Sequence, residues 1–230
     1  MPAPRETFDR ELQRLKDELL IMASLVEQNL IESVQILKAQ NQHSAQALIK
    51  ADAIVNQKRF AIEKDVLILI ATQQPLAGDL RTLAAMLEIA GELERIGDYA
   101  KGIGKITLMI GDEPLIKPLI DIPRMANKAR DMLHRSLTAF VEGNEELARS
   151  LAGEDDEVDA LYVQIYRELM TYILEDTRNI EQANYLLWAA HNLERTADRV
   201  VNICERVVFT ITGELGELAT HFEVTDAPDF

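Results

Sequence analysis

Apolar residues recur at helical spacing along most of the chain. Between Thr7 and Ala39 they fall at Leu12, Leu15, Leu19, Met22, Val26, Leu30, Val34 and Leu37, with polar residues on the other face. This pattern predicts one long helix. Asn41 to Ser44 supplies capping residues, and a second helix is expected over Ala45–Ala71. Pro75 sits where a first-turn proline is tolerated, ahead of a third helix that begins near Asp79 and ends at Gly111-Asp112-Glu113-Pro114. Three more helices are expected, at about Arg124–Glu142, Glu145–Glu175 and Ile180–Thr212, the first two separated by Gly143-Asn144.

The second set of helices repeats the first. A shift of 103 residues pairs Met22 with Met125, Leu30 with Leu133, Ser33 with Ser136, Asn41 with Asn144, Asp52 with Asp155 and Val55 with Val158. A shift of 100 residues pairs Leu87 with Leu187, Leu93-Glu94-Arg95 with Leu193-Glu194-Arg195, and Asp98 with Asp198. The expected organisation is a first three-helix repeat over residues 1–111, a linker over 112–123, a second repeat over 124–212 and a loose acidic tail over 213–230.

Composition narrows the function. Apolar residues make up 47%, charged residues 27% and aromatics 5%, which favours helices over sheets. The formal charge of -15 and the lack of any basic run argue against nucleic acid. Cys204 is the only cysteine and lies among valines, so a disulfide and a Cys-based zinc site are excluded and a buried thiol is expected. The first twenty residues lack a signal-peptide core, and the longest aliphatic run, Val66–Ala71, is too short to span a bilayer, so a soluble, cytoplasmic protein is expected.

The candidate chemistry is acidic. Glu94 and Asp98 lie one turn apart on the third helix, as do Glu194 and Asp198 on the sixth, with Asn202 a further turn on. On a helical wheel Glu94 and Asp98 lie within about 20° of Leu87, beside Ala90 and Leu83, and the polar arc of Glu88, Glu92, Arg95 and Tyr99 is directed to solvent. Carboxylates bordering apolar surface need a cation or hydrogen-bond donors. Oxygen ligands at this spacing suit magnesium, manganese, iron or zinc. Asp52 with Asn56, and Asp155 with Asp159, share the spacing on the second helix of each repeat and could reach the same sites; His191 lies near Glu194. Arg95 is expected to pair with Glu92. No catalytic arrangement or phosphate-binding glycine loop is present, and His43, His134 and His221 lack metal-ligand spacing.

Four segments resemble the PhoU family: Gln74-Pro75-x-Ala77-x-Asp79-Leu80-Arg81, Leu93-Glu94-Arg95-Ile96-Gly97-Asp98, Met170-Thr171-Tyr172-Ile173-Leu174-Glu175-Asp176, and the run from Leu193 to Ile203. The resemblance covers about residues 8–212. It implies an all-α fold of two tandem three-helix bundles in pseudo-twofold relation, multinuclear metal clusters on Glu/Asp-x-x-x-Asp motifs, and homodimerisation. It also implies negative control of phosphate uptake and the phosphate-starvation response, through the ATPase subunit of the Pst transporter and a PhoR-type histidine kinase at the inner membrane. Carried over by position, the ligands are Glu94 and Asp98 in one half and Glu194, Asp198 and Asn202 in the other, with Gly102 standing where the second half has Asn202. Alternatives are a carboxylate-bridged di-iron protein that activates oxygen and a metal-free helical scaffold.

Overall fold

The apolar stripes become helices that share one core. A computed structural model describes residues 4–218, and among them there is no strand. The helices are α1 (Pro4–Ala39), α2 (Gln42–Gln73), α3 (Ala77–Ile110), α4 (Asp121–Glu142), α5 (Glu145–Ala152), α6 (Asp155–Glu175) and α7 (Ile180–Thr212). A 3-10 turn, Thr177–Asn179, joins α6 to α7.

Helices α1, α2 and α3 pack together, as do α4, the α5–α6 pair and α7. The most extensive helix pairing runs between the halves, α3 against α7, and α1 also lies against α4. Leu19, Met22, Leu93, Met125, Leu133 and Leu193 therefore belong to one continuous buried cluster. One window of α1 has a mean hydropathy of 1.2, apolar enough over its length to cross a membrane, but half of it is buried within the fold. Leu15, Leu19, Met22, Val26, Leu30 and Leu37 form that stripe, and packing accounts for it.

Matched positions do matched work. Asn41 and Asn144 each accept a backbone N–H at 3.0 Å, from Ser44 and Leu147, so each caps the helix that follows. Ser33 and Ser136 are fully buried, and each hydroxyl donates to a carbonyl three residues back, at 2.7 and 2.8 Å.

Beyond shifts of up to three residues at the ends of α1, α2 and α3, the boundaries differ from expectation after α3. The helix expected over Glu145–Glu175 is broken after Ala152. Gly153 has weak helix propensity, and the acids Asp155, Asp156 and Glu157 suit a helix N-terminus, where the dipole favours negative charge. Glu154 holds the break, receiving Lys128 at 2.7 Å and Arg135 at 2.8 Å. Helix α4 starts at Asp121, three residues early, because Pro123 fits its first turn. The expected linker is also held in place: Gln182 on α7 donates to the Pro114 carbonyl at 3.1 Å, Leu119 is buried, and Lys117 pairs with Glu168. Of the expected tail, Leu218 packs against the core and its N–H donates to Glu205 at 3.1 Å. Residues 219–230, including His221, lie outside the described residues.

Candidate metal centre

In each half the acidic line of the third helix meets an aspartate from the helix packed beside it. In the first half this aspartate is Asp52, on the buried face of α2. Gly97 permits the approach: a Cβ there would lie 3.3 Å from Val55 Cγ1 and 3.7 Å from Asp52 Oδ1. Lys101, one turn beyond Asp98, donates to Asp52 Oδ2 at 2.7 Å and to Asp98 Oδ1 at 3.0 Å. These two bonds, the Asp52 bond foremost, raise the Lys101 pKa. Asn56 donates to Asp52 Oδ2 at 3.1 Å, and Arg59 lies 3.7 Å from Glu94. Burial, then the charge of Asp98, raises the Glu94 pKa, against the pull of Arg59.

The second half is arranged differently. Asp155 is buried at the start of α6, with Asp159 one turn on, and both interact with Asp198, while Glu194 acts on Asp155. Burial, reinforced by Asp159, Asp198 and Glu194, pushes Asp155 up to about 7. Burial, then Asp198 and Asp159, pushes Glu194 up to about 7 as well. Asp159 and Asp198 are also raised, chiefly by burial. Arg195 lies 3.6 Å from Asp198, and His191 Nδ1 lies 3.1 Å from Glu194 Oε2. That approach is poorly aligned, and buried Glu194 Oε2 accepts no hydrogen bond; Asp155 Oδ1 and, in the first half, Asp52 Oδ1 are likewise unpaired.

The Asn202 amide donates to Glu92 on α3 at 3.4 Å. Gly102, its counterpart, lies at the equivalent crossing, where a Cβ would come within 2.9 Å of Asn192 Nδ2. Positions 102 and 202 thus belong to the α3–α7 seam. The polar arc expected to face solvent is only partly covered: Glu88 and Arg95 stay exposed as expected, while Glu92 lies in the same seam. Glu92 pairs with Arg95 at 2.6 Å, as expected, but also lies 3.6 Å from Arg199, and Glu88 pairs with Arg206 at 3.0 Å. A wheel separates polar from apolar faces but does not show that a polar face is covered by a complementary helix. Sequence reasoning also passes over Lys101 and Arg59, although Lys101 is three residues beyond Asp98 and Arg59 seven beyond Asp52. Cys204 is fully buried as expected, and burial pushes its thiol up to about 12.

The residues of the second half fit a hard cation by donor chemistry: four carboxylates, Asp155 buried and the others partly so, two of their buried oxygens without a hydrogen bond, and like charges that repel one another. Among the described residues no three His, Cys, Asp or Glu side chains converge tightly enough to form a ready-made metal-binding group.

Two copies of the PhoU domain model match this chain, over residues 19–107 and 122–207. The chain belongs to the PhoU family. It is 36% identical over 215 residues to a phosphate-specific transport system accessory protein PhoU homolog of Clostridium acetobutylicum, covering 93% of this chain and 98% of that protein. It is also 36% identical over 206 residues to a protein of the same description from Aquifex aeolicus, covering 90% and 93%. The crystal structure of the phosphate transport system regulatory protein PhoU from Streptococcus pneumoniae superposes with a TM-score of 0.85 at 31% identity, covering 92% of this chain and all of that one. PhoU from Pseudomonas aeruginosa gives 0.83 at 31%, covering 90% and all. The all-α architecture is thus that of the family.

The raised carboxyls predict a pH dependence. In the metal-stripped chain the folded state keeps protons on Asp155 and Glu194 that the unfolded chain releases near pH 4, so their contribution to stability falls as pH rises from about 4 to 7. Thermal melts of the stripped protein are expected to show a lower midpoint at pH 8 than at pH 6. The difference should shrink in Asp155→Asn.

Proposed function

We propose that this chain is an accessory protein of a phosphate transport system that negatively regulates phosphate uptake and the phosphate-starvation response, acting as an adaptor rather than as an enzyme. In this reading it is cytoplasmic, is a homodimer, and docks at the inner membrane on the transporter's ATPase subunit and on a PhoR-type histidine kinase. Its carboxylate groups hold metal ions, with Glu194 and Asp198 joined by Asp155 and Asp159. The observation that carries the reading is the family membership of both halves, combined with a four-carboxylate group in which Asp155 is buried and two buried oxygens are unpaired. A divalent cation would offset the repulsion within that group and fix α6 against α7, which gives the adaptor a rigid surface.

The test is made in a strain deleted for this gene and grown with abundant phosphate. Reintroduced wild-type protein is expected to restore repression of a starvation-induced alkaline phosphatase. Glu194→Ala/Asp198→Ala, at equal abundance by immunoblot, is expected to leave it derepressed. Repression by the double variant would remove the metal group from the mechanism, and failure of the wild type to repress would remove the regulatory role itself.

A further inference from the structure

The two acidic groups differ systematically at matched positions. Asp52 and Asp155, Glu94 and Glu194, and Asp98 and Asp198 correspond, and so does the pair Asn56 and Asp159. The cations do not. Arg59 corresponds to Tyr162, and Lys101 to Val201. The first group therefore sets three carboxylates against two cations, whereas the second sets four carboxylates against no cation at those positions. Arg195, 3.6 Å from Asp198, and Arg199, 3.6 Å from Glu92 on the opposite helix, pull on Glu194 and Asp198 from the same helix, and His191 lies 3.1 Å from Glu194, but none of them bridges carboxylates of two helices as Lys101 does.

We propose that the Lys101 ammonium is the resident counter-ion of the first half, standing where a divalent cation would bridge Asp52 and Asp98, so that metal binds only the second half. This deepens the metal-binding reading above and rests on it. The ammonium bridges carboxylates of two helices, at 2.7 and 3.0 Å, and its side chain is only 26% exposed. It thus joins α2 to α3 as a bound cation would. An incoming divalent ion would have to break both bonds and then lie beside a displaced positive charge. Asp155, like Asp52, is 5% exposed with Oδ1 unpaired, but in the second half Val201 is buried and supplies no donor, so an ion meeting these carboxylate oxygens displaces no bridging ammonium. The family relationship makes the two halves look equivalent, but the side chains make one largely self-compensated and the other dependent on an exogenous cation.

The experiment is Mn²⁺ binding to the untagged full-length chain, stripped of metal, by equilibrium dialysis with elemental analysis of the protein. Wild-type stoichiometry is expected to be lost in Asp155→Asn/Asp198→Asn and unchanged in Asp52→Asn/Asp98→Asn. Lys101→Met is expected to bind about twice as much Mn²⁺ per chain as the wild type, by opening a second carboxylate group, and the excess should vanish when Asp52→Asn is added. Lys101→Met should also melt earlier than wild type without metal and recover when Mn²⁺ is added, while circular dichroism reports whether it folds. A wild-type stoichiometry reduced by Asp52→Asn/Asp98→Asn would overturn the proposal while leaving metal binding intact, as would a folded Lys101→Met with unchanged stoichiometry. Absence of Mn²⁺ from wild type and Lys101→Met alike would remove the metal-binding reading and this proposal together.

Discussion

Asp155→Asn is expected to raise the thermal midpoint of the metal-stripped chain at pH 8 by roughly 5 °C, and to abolish the stabilisation that Mn²⁺ gives the wild type. Asp155 is buried, its Oδ1 has no partner, and Asp159, Asp198 and Glu194 act on it. A carboxyl pushed up to about 7 costs the ionised folded state up to about 4 kcal/mol at pH 8, part of which a new buried amide retains. The amide removes one of four like charges and adds a donor for its neighbours. The wild type regains the difference only by binding a cation, since a ligand present at about 100 times its dissociation constant adds about 2.7 kcal/mol. Differential scanning fluorimetry with and without Mn²⁺ measures both effects. A lower midpoint for the stripped variant would mean that the carboxylate is satisfied without metal.

Leu93→Ala and Leu193→Ala are each expected to cost about 2–5 kcal/mol, and each should leave a single unfolding transition. Both leucines are fully buried, at matched positions of α3 and α7, in the one cluster that spans the halves. Because α3 and α7 form the most extensive pairing, a cavity on either side weakens the same core. Urea unfolding followed at the far-ultraviolet helix signal is the check. Two separated transitions, with only one displaced by each substitution, would instead mean that the repeats fold independently.

The elements that can be read from the sequence are those set by local rules. The stripe from Leu12 to Leu37 and the capping residues Asn41 and Asn144 specify helices and their starts whatever packs against them. The acidic pairs are visible as well, because duplication repeats them at matched positions. The break before Asp155 is not, since the apolar period continues through Val158 and Ile165 and only Gly153 weakens it. Yet that break lets Glu154 turn to Lys128 and Arg135 while Asp155 stays buried at the head of α6. Asn202 shows a second limit. Its spacing continues the line of Glu194 and Asp198, but four residues advance a helix by about 400°, and over eight the drift carries Asn202 into the α3–α7 seam. The counter-ions escape notice for a related reason: Lys101 and Arg59 look like ordinary solvated charge until folding sets Lys101 against Asp52 and Asp98 and Arg59 against Glu94.

Where the metal sits is decided by diffraction from crystals of the untagged protein grown with Mn²⁺, recorded at a wavelength where manganese scatters anomalously. An anomalous peak within coordination distance of Asp155, Asp159, Glu194 and Asp198 is expected, with none between Asp52 and Asp98. Well-ordered carboxylates in the second half with no anomalous peak among them would contradict a metal-dependent second half.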